Sequence, residues 1–248
     1  MNRFIPTTII ILLAATALLA FGSSGRPKMP PPAGIAVVEL FTSEGCSSCP
    51  PADAALAAAL KDFPAGVYVL GYHVDYWDRL GWKDPFSNAA WTDRQSRYAT
   101  RFKLTSIYTP EAVVNGKTEF TGSDKNRLYQ TIENELKSPA TGSIQLNAKL
   151  QSDKSILVSY KAAATGKYLL HIALVQGNAD TNVKKGENEG KRLHHVNIVR
   201  DLKTAADAAG AIVFHLPEAL PPGDCSIIAF LQDNQTLAIT AAAAATIH

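Results

Sequence analysis

The rhythm of hydrophobic and polar positions changes near residue 140. From residue 35 to about 138, short apolar runs alternate with segments of helical period. Residues 35–41 (IAVVELF) and 66–74 (GVYVLGYHV) read as largely buried strands. Between them, Pro50 to about Lys61 predicts an alanine-rich helix that buries Leu56 and Leu60, with Phe63 continuing the same stripe. A polar, aromatic loop follows over 75–86, then a helix over 87–102 with Trp91, Tyr98 and Phe102 on one side. Two short strands, 111–114 and 117–120, meet at Asn115-Gly116, a strong hairpin signal between extended residues. A third helix over 124–136 puts Leu128, Ile132 and Leu136 on one face, with Ser123 or Asp124 as its cap. The order is β-α-β-α-β-β-α, in which the βαβ unit requires a parallel pair and a right-handed crossover.

From Thr141 onward the pattern becomes that of antiparallel strands, several alternating in polarity. Strands are expected at 143–150, 155–161, 167–176, 211–216, 226–233 and 237–241, with 192–199 as a further one. Residues 177–191 read as a long polar loop, solvated as such loops usually are. This half is expected to form a small all-β sandwich, or an open antiparallel sheet packed on the first domain. The division predicted is a thioredoxin-like α/β domain at 34–140 and a β-sandwich-like domain at 141–248.

The N-terminus changes the compartment. Arg3 is the only charge before Arg26, and residues 7–21 are an apolar run of signal-peptide length. Ala20-Phe21-Gly22 offers a small-x-small site, so residues 1–22 read as a cleaved signal. An uncleaved membrane anchor is the alternative. Residues 23–33 form a stiff proline-rich lead-in. The mature chain is then expected in the periplasm or secreted, with no membrane partner once the signal is removed. Lys and Arg total 24 against 22 Asp and Glu, and the basic residues are scattered, which argues against nucleic acid or an anionic membrane as partner. Three cysteines are too few for a disulfide-built scaffold. Cys225, inside the apolar run CSIIAFL, reads as a buried core thiol.

Cys46 and Cys49, in Gly45-Cys46-Ser47-Ser48-Cys49-Pro50-Pro51, carry the candidate chemistry. A Cys-x-x-Cys set between a strand and a helix is the usual site of thiol–disulfide exchange in thioredoxin-like folds. In an oxidising compartment the pair is expected to start as a disulfide. Cys46 would attack, on the ground of exposure, and Cys49 would resolve the mixed disulfide. Pro50 and Pro51 place the helix start nearer Cys49, because first-turn N–H groups have no intrahelical partner to lose. That weakens any dipole stabilisation of Cys46.

Four further positions complete the candidate set. Thr109-Pro110 precedes the strand expected to pair beside the one that ends near Cys46. A cis proline there would face the cysteines and leave adjacent backbone free to hold an extended peptide. His73 and Asp75 sit at the carboxyl end of the second strand, where ligands bind in open α/β sheets. They are candidates for proton carriers or orienting groups, with Tyr76, Trp77 and Trp82 as walls, or else for a structural loop. Glu39 lies in a strand expected to be covered on both faces. It is a candidate proton acceptor behind the second cysteine, or else faces an interdomain seam or pairs with an arginine.

The stretch from Val38 to Asp53 (VELFTSEGCSSCPPAD) resembles the domain of unknown function 1223 family, exported bacterial proteins within the thioredoxin-like superfamily. The resemblance continues through HVDYWD at 73–78, GWKD at 81–84, Tyr108-Thr109-Pro110, VVNG at 113–116, GENEG at 186–190 and residues 194–200. It implies a fold and a site, and no cofactor or settled reaction. Gly45 stands where thioredoxin has a tryptophan, and Ser47-Ser48 where it has Gly-Pro, so a redox potential does not carry over. Three readings stand side by side. The first is exchange on peptide or protein thiols. The second is metal handling, with Cys46, Cys49 and His73 as a soft site for Cu(I) or Zn(II). The third is a binding module with a structural disulfide, in which the 177–192 loop and His194-His195 do the recognition.

Overall fold

The order of apolar and polar residues becomes three helices and eleven strands in a computed structural model that describes Met1 and residues 33–248. The expected signal segment and the lead-in up to residue 32 lie outside the described residues. The first half contains β1 (Ala36–Thr42), α1 (Pro50–Asp62), β2 (Val67–His73), α2 (Ala89–Phe102), β3 (Glu111–Val114), β4 (Thr118–Thr121) and α3 (Lys125–Lys137). The second contains β5 (Gly142–Leu150), β6 (Ser155–Ala164), β7 (Tyr168–Asn182), β8 (Arg192–Ala205), β9 (Ala209–His215), β10 (Cys225–Asp233) and β11 (Ile239–Thr246). Among the described residues no helix is long and apolar enough to cross a membrane.

Local chemistry sets the element ends. Cys49 is the N-cap of α1, with Pro50 and Pro51 at its first two positions, where missing N–H groups cost nothing. Asn88 caps α2 by accepting from the Ala90 N–H at 3.0 Å, and Asp124 caps α3 by accepting from the Arg127 N–H at 3.0 Å. Asn115 and Gly116 both take positive φ, 49° and 62°, as a two-residue turn between β3 and β4 requires.

The two halves share one sheet. Its eight strands run β11-β10-β7-β8-β2-β1-β3-β4, while β5-β6-β9 form a separate antiparallel sheet. β1 and β2 are parallel, β3 is antiparallel to β1, and β7 to β10. β8 joins β2 in parallel at Gly71 opposite Ile198. A Cβ on Gly71 would stand 3.4 Å from the Val196 carbonyl oxygen, at van der Waals contact with the β8 backbone. Asn197 takes a positive φ of 48° and its Nδ2 donates to the Val69 carbonyl at 3.1 Å, which fixes the join. The polar stretch after Gln176 is accordingly shorter than its composition suggests: β7 continues to Asn182 and pairs with β8 out to Arg192.

Strand alternation sorts the core. Val38 and Leu40 of β1 pack with α1 and α3 through Leu56, Leu128 and Ile132. Val37 and Phe41 point the other way, toward Trp91 and Tyr98 of α2 and Phe230 of β10. Leu170, Ile172, Ile227 and Ala229 bury the small sheet through Ile156, Val158 and Phe214. Cys225 lies in this last cluster as a buried thiol.

Glu39 falls on the α2 face. Its carboxylate takes a two-pronged contact from Arg94, with Nη2 at 2.9 Å from Oε1, and accepts a hydrogen bond from the Tyr98 hydroxyl. Gln232 of β10 joins through Tyr98 and Arg94. Breaking a buried pair from one side leaves an uncompensated charge, whereas removing both sides does not. Arg94→Met should therefore cost about 3–5 kcal/mol in urea unfolding, and the double change Glu39→Leu/Arg94→Met should recover most of the loss.

Candidate active site

The chain leaves β1 at Thr42 and turns through Ser43–Cys49 before α1. Ser43 shapes the turn twice: its Oγ accepts from the Gly45 N–H at 3.1 Å and its carbonyl from the Cys46 N–H at 3.1 Å. The Cys49 N–H donates to the Cys46 carbonyl at 3.2 Å, closing a second turn that sets the two sulfurs side by side. Thr109-Pro110 is cis, and the Thr109 carbonyl lies 3.8 Å from Cys46 Sγ. Trp77 lies against the Gly45 backbone and donates from Nε1 to Thr109 Oγ1 at 2.8 Å, so it walls the site between the cysteine turn and the proline turn.

Both cysteines are thiols with 0% of their surface exposed. Exposure therefore does not separate attacker from resolver, contrary to the sequence-based expectation, because Thr109, Trp77 and the strand-linking loop cover the turn. Acidity separates them. The Cys49 thiol hydrogen-bonds to Cys46 and pulls its pKa down to about 6, helped by the Ser48 hydroxyl at 3.2 Å and by Thr109, against the opposing effect of burial. Burial pushes Cys49 far up, and the charges of Cys46 and Asp53 add to the shift. The start of α1 contributes little. Pro50 and Pro51 have no N–H, and the Ala52 and Asp53 N–H groups are bonded to the Cys49 carbonyl at 2.8 and 3.1 Å.

The other sequence candidates divide. His73 is not beside the cysteines; its Nδ1 pairs with Asp84 Oδ2 at 2.7 Å in the interior. Asp75 accepts from the Thr92 hydroxyl at 2.6 Å and ties the loop to the first turn of α2. Glu39 is on the opposite face of β1 from Thr42 and α1, because side chains alternate along a strand, and it takes the arginine-paired role considered for it. Among the described residues no group of three His, Cys, Asp or Glu side chains is arranged to hold a metal ion, so Cys46, Cys49 and His73 do not form a soft-metal triad.

Behind Cys49 the structure gathers Thr42, Glu44 and Asp53, which were not singled out from the sequence, together with His195, which was read there as a recognition residue. Thr42 Oγ1 donates to Asp53 Oδ2 at 3.3 Å, and Thr42 stands close enough to Cys49 to favour its thiolate. Asp53 Oδ2 lies 3.7 Å from His195 Nδ1, and His195 Nε2 lies 3.3 Å from Glu44 Oε1. These are ion-pair distances without hydrogen-bond alignment, and both ring nitrogens are buried without a hydrogen-bond partner. Burial alone would discharge His195, but Asp53 and Glu44 outweigh it and push its pKa up to about 10. The His195 ring stacks edge-on against His73 at 4.6 Å, and Trp82 Nε1 donates to Glu44 Oε2 at 2.7 Å.

The loop between β7 and β8 closes over the cysteine turn. Asn188, fully buried, donates from Nδ2 to the carbonyls of Glu44 and Cys46 at 2.8 and 2.9 Å. Glu187 Oε2 accepts from the Ser47 N–H at 3.0 Å. The solvated loop expected from polarity thus docks at these two residues. One signal for Asp53 was present in the sequence: it is the only charge between Cys49 and Lys61, one turn after the cysteine. The sequence offers His195 only as half of a His194-His195 recognition pair, since only the β2–β8 join brings it here.

The family model described as "Protein of unknown function (DUF1223)" matches residues 37–232. The crystal structure of protein AGR_C_4864 from Agrobacterium tumefaciens is similar at 28% identity, over 87% of this chain and 94% of that one, with a TM-score of 0.65. A domain of the outer membrane lipoprotein Omp28 from Porphyromonas gingivalis aligns over 44% of this chain and 89% of that one at 19% identity, with a TM-score of 0.27. No curated protein matches the chain.

The acidity split has a direct readout. Iodoacetamide should modify Cys46 of the reduced chain with a rate that rises through a midpoint near pH 6, because only the thiolate reacts. Cys49→Ala should move that midpoint upward by removing the main hydrogen bond to the sulfur, as measured by mass spectrometry of quenched samples.

Proposed function

Since the chain belongs to the DUF1223 family, whose description assigns no reaction, its chemistry must be read from its own site, and we propose an exported protein of thiol–disulfide exchange acting on peptide or protein thiols. The observation that carries this is the pair of adjoining sulfurs with opposed acidity, one lowered to about 6 and the other raised. A structural staple has no use for such a split, whereas an exchange site needs one thiol ready to attack and one held in reserve.

The surroundings support the reading. The strand order β2-β1-β3-β4, with α1 and α3 on one face and α2 on the other, fits a thioredoxin-like core. In the reducing direction, the Cys46 thiolate attacks one sulfur of a substrate disulfide, and the other sulfur leaves as a thiolate. Cys49 then attacks the Cys46 sulfur; the Cys46–Cys49 bond forms, and the second substrate sulfur leaves with its electron pair. The substrate gains two electrons and the protein dithiol loses them. The same steps reversed oxidise a substrate dithiol. The backbone at cis Thr109-Pro110 faces the reacting sulfur and would hold an extended peptide across it. A substrate must displace the cover formed by Ser47, Ser48 and Glu187, all exposed, to reach Cys46.

Equilibration with glutathione should place the Cys46/Cys49 couple between about −120 and −270 mV, the range of catalytic dithiols. Cys49→Ser should accumulate a mixed disulfide on Cys46, visible by intact mass. A potential below about −300 mV would identify a structural bond and refute the exchange reading.

A further inference from the structure

A buried thiol that must become a nucleophile needs somewhere to send its proton. Cys49 is wholly buried, so solvent hydroxide has no direct access to it. Glu39, the carboxylate in the strand that leads to the turn, lies across the sheet and is taken by Arg94 and Tyr98. Asp53 is placed differently. It is one turn along α1 from Cys49, its N–H bonds to the Cys49 carbonyl at 3.1 Å, and its Oδ2 accepts at 3.3 Å from the hydroxyl of Thr42, a residue that also acts on the acidity of Cys49.

Resting on the exchange reading above, we propose that Asp53 receives the Cys49 proton through the Thr42 hydroxyl when the mixed disulfide resolves, and that His195 of β8 is the positioning residue that holds Asp53 for this step. The Cys49 S–H passes its proton to Thr42 Oγ1 as the Thr42 hydroxyl proton moves to Asp53 Oδ2. The Cys49 electron pair then forms the bond to Cys46, and the bond from Cys46 to the substrate sulfur breaks, with its pair leaving on the substrate. Asp53 returns its proton to water. It has a route, because it lines a groove of about 380 Å³ together with Pro50, Ala54, Ala57, Leu193 and His194.

The charged and titratable groups around this path come from five segments. Cys46 and Glu44 lie on the turn, His73 on β2, Asp84 on the loop before α2, Asp53 on α1, and His195 on β8. His195 is the group that touches both carboxylates, at 3.7 Å from Asp53 and 3.3 Å from Glu44. With both its nitrogens free of hydrogen bonds, it is held by charge and by the rings of His73 and Phe86, and it stands between the two acids. The second half of the chain thereby supplies a part of the redox centre.

Dithiobis-nitrobenzoate separates the two steps, because each absorbing thiolate it releases reports one of them. The first release follows attack by Cys46 and the second follows attack by Cys49 on the mixed disulfide. In stopped flow with the reduced full-length mature chain, Asp53→Asn should lower the ratio of second to first rate by about a hundredfold, the scale of a lost general base. Its second rate should acquire a rise of about tenfold per pH unit that the native chain lacks, since the proton then leaves only to hydroxide admitted when the cover over the turn opens. Thr42→Val, which keeps the carboxylate and breaks the relay, should lower the same ratio. His195→Gln should lower it without creating the hydroxide dependence. An unchanged ratio in Asp53→Asn and Thr42→Val overturns the proton route, and a native ratio in His195→Gln overturns the positioning role. Absence of any first release from the native chain overturns the exchange reading itself.

Discussion

Everything distinctive about this site depends on the close approach of β8 to β2. Two strands from distant parts of the chain meet in parallel at a single register point, Gly71 opposite Ile198. A Cβ at Gly71 would already touch the β8 backbone at the Val196 carbonyl, and the Asn197 side chain binds β2 from the other direction. The join turns two half-sheets into one of eight strands. It also aims His195 beneath α1 and delivers the β7–β8 loop to the cysteine turn. Without that approach the cysteines would sit on an ordinary strand-to-helix turn, with neither the buried acids' cationic partner nor the cover over Cys46.

Most of the first half was legible in the sequence. Helical spacing located α1, α2 and α3, Asn115-Gly116 located the hairpin, and the paired prolines located the start of α1 at Cys49, each through a local rule. Cys46, Cys49 and Thr109-Pro110 were legible for the same reason, since a turn between a strand and a helix is encoded by its own residues. What escaped depended on contacts remote in sequence. Glu39 was recognisable as a buried carboxylate, but its partner Arg94 is 55 residues away and its face was set by strand phase. His73 and Asp75 had the right position on β2 and found nearer partners in Asp84 and Thr92. His195 and Asn188 could be connected to the cysteines only through the topology of the complete sheet.

Burial acts in opposite senses on neighbouring groups. It raises Cys49, opposes the lowering of Cys46, and opposes the charging of His195. At Cys49 burial itself decides, with Cys46 and then Asp53 adding to it, whereas a thiol donor decides Cys46 and two carboxylates decide His195. Low dielectric strengthens each of these local terms, so a few ångströms of placement set the protonation state of the whole centre. The Glu39–Arg94 pair on the far side of β1 belongs to a separate network. Its work is to tie α2 to β1 and β10 across one face of the sheet.

The hydrogen bonds from Asn188 to the turn span 142 and 144 residues of chain. Export and synthesis both proceed from the N-terminus, and domains assemble in that order where they can. Here the order works against the site: Cys46 and Cys49 emerge with their turn and helix long before the strand and loop that finish their surroundings exist. Contacts of such separation form late in folding, after the loop-closure cost has been met. The young chain therefore carries a bare cysteine pair, and its reactivity is reset when β8 slides into place. The surroundings of the cysteine turn are completed only by contacts of this late-forming kind.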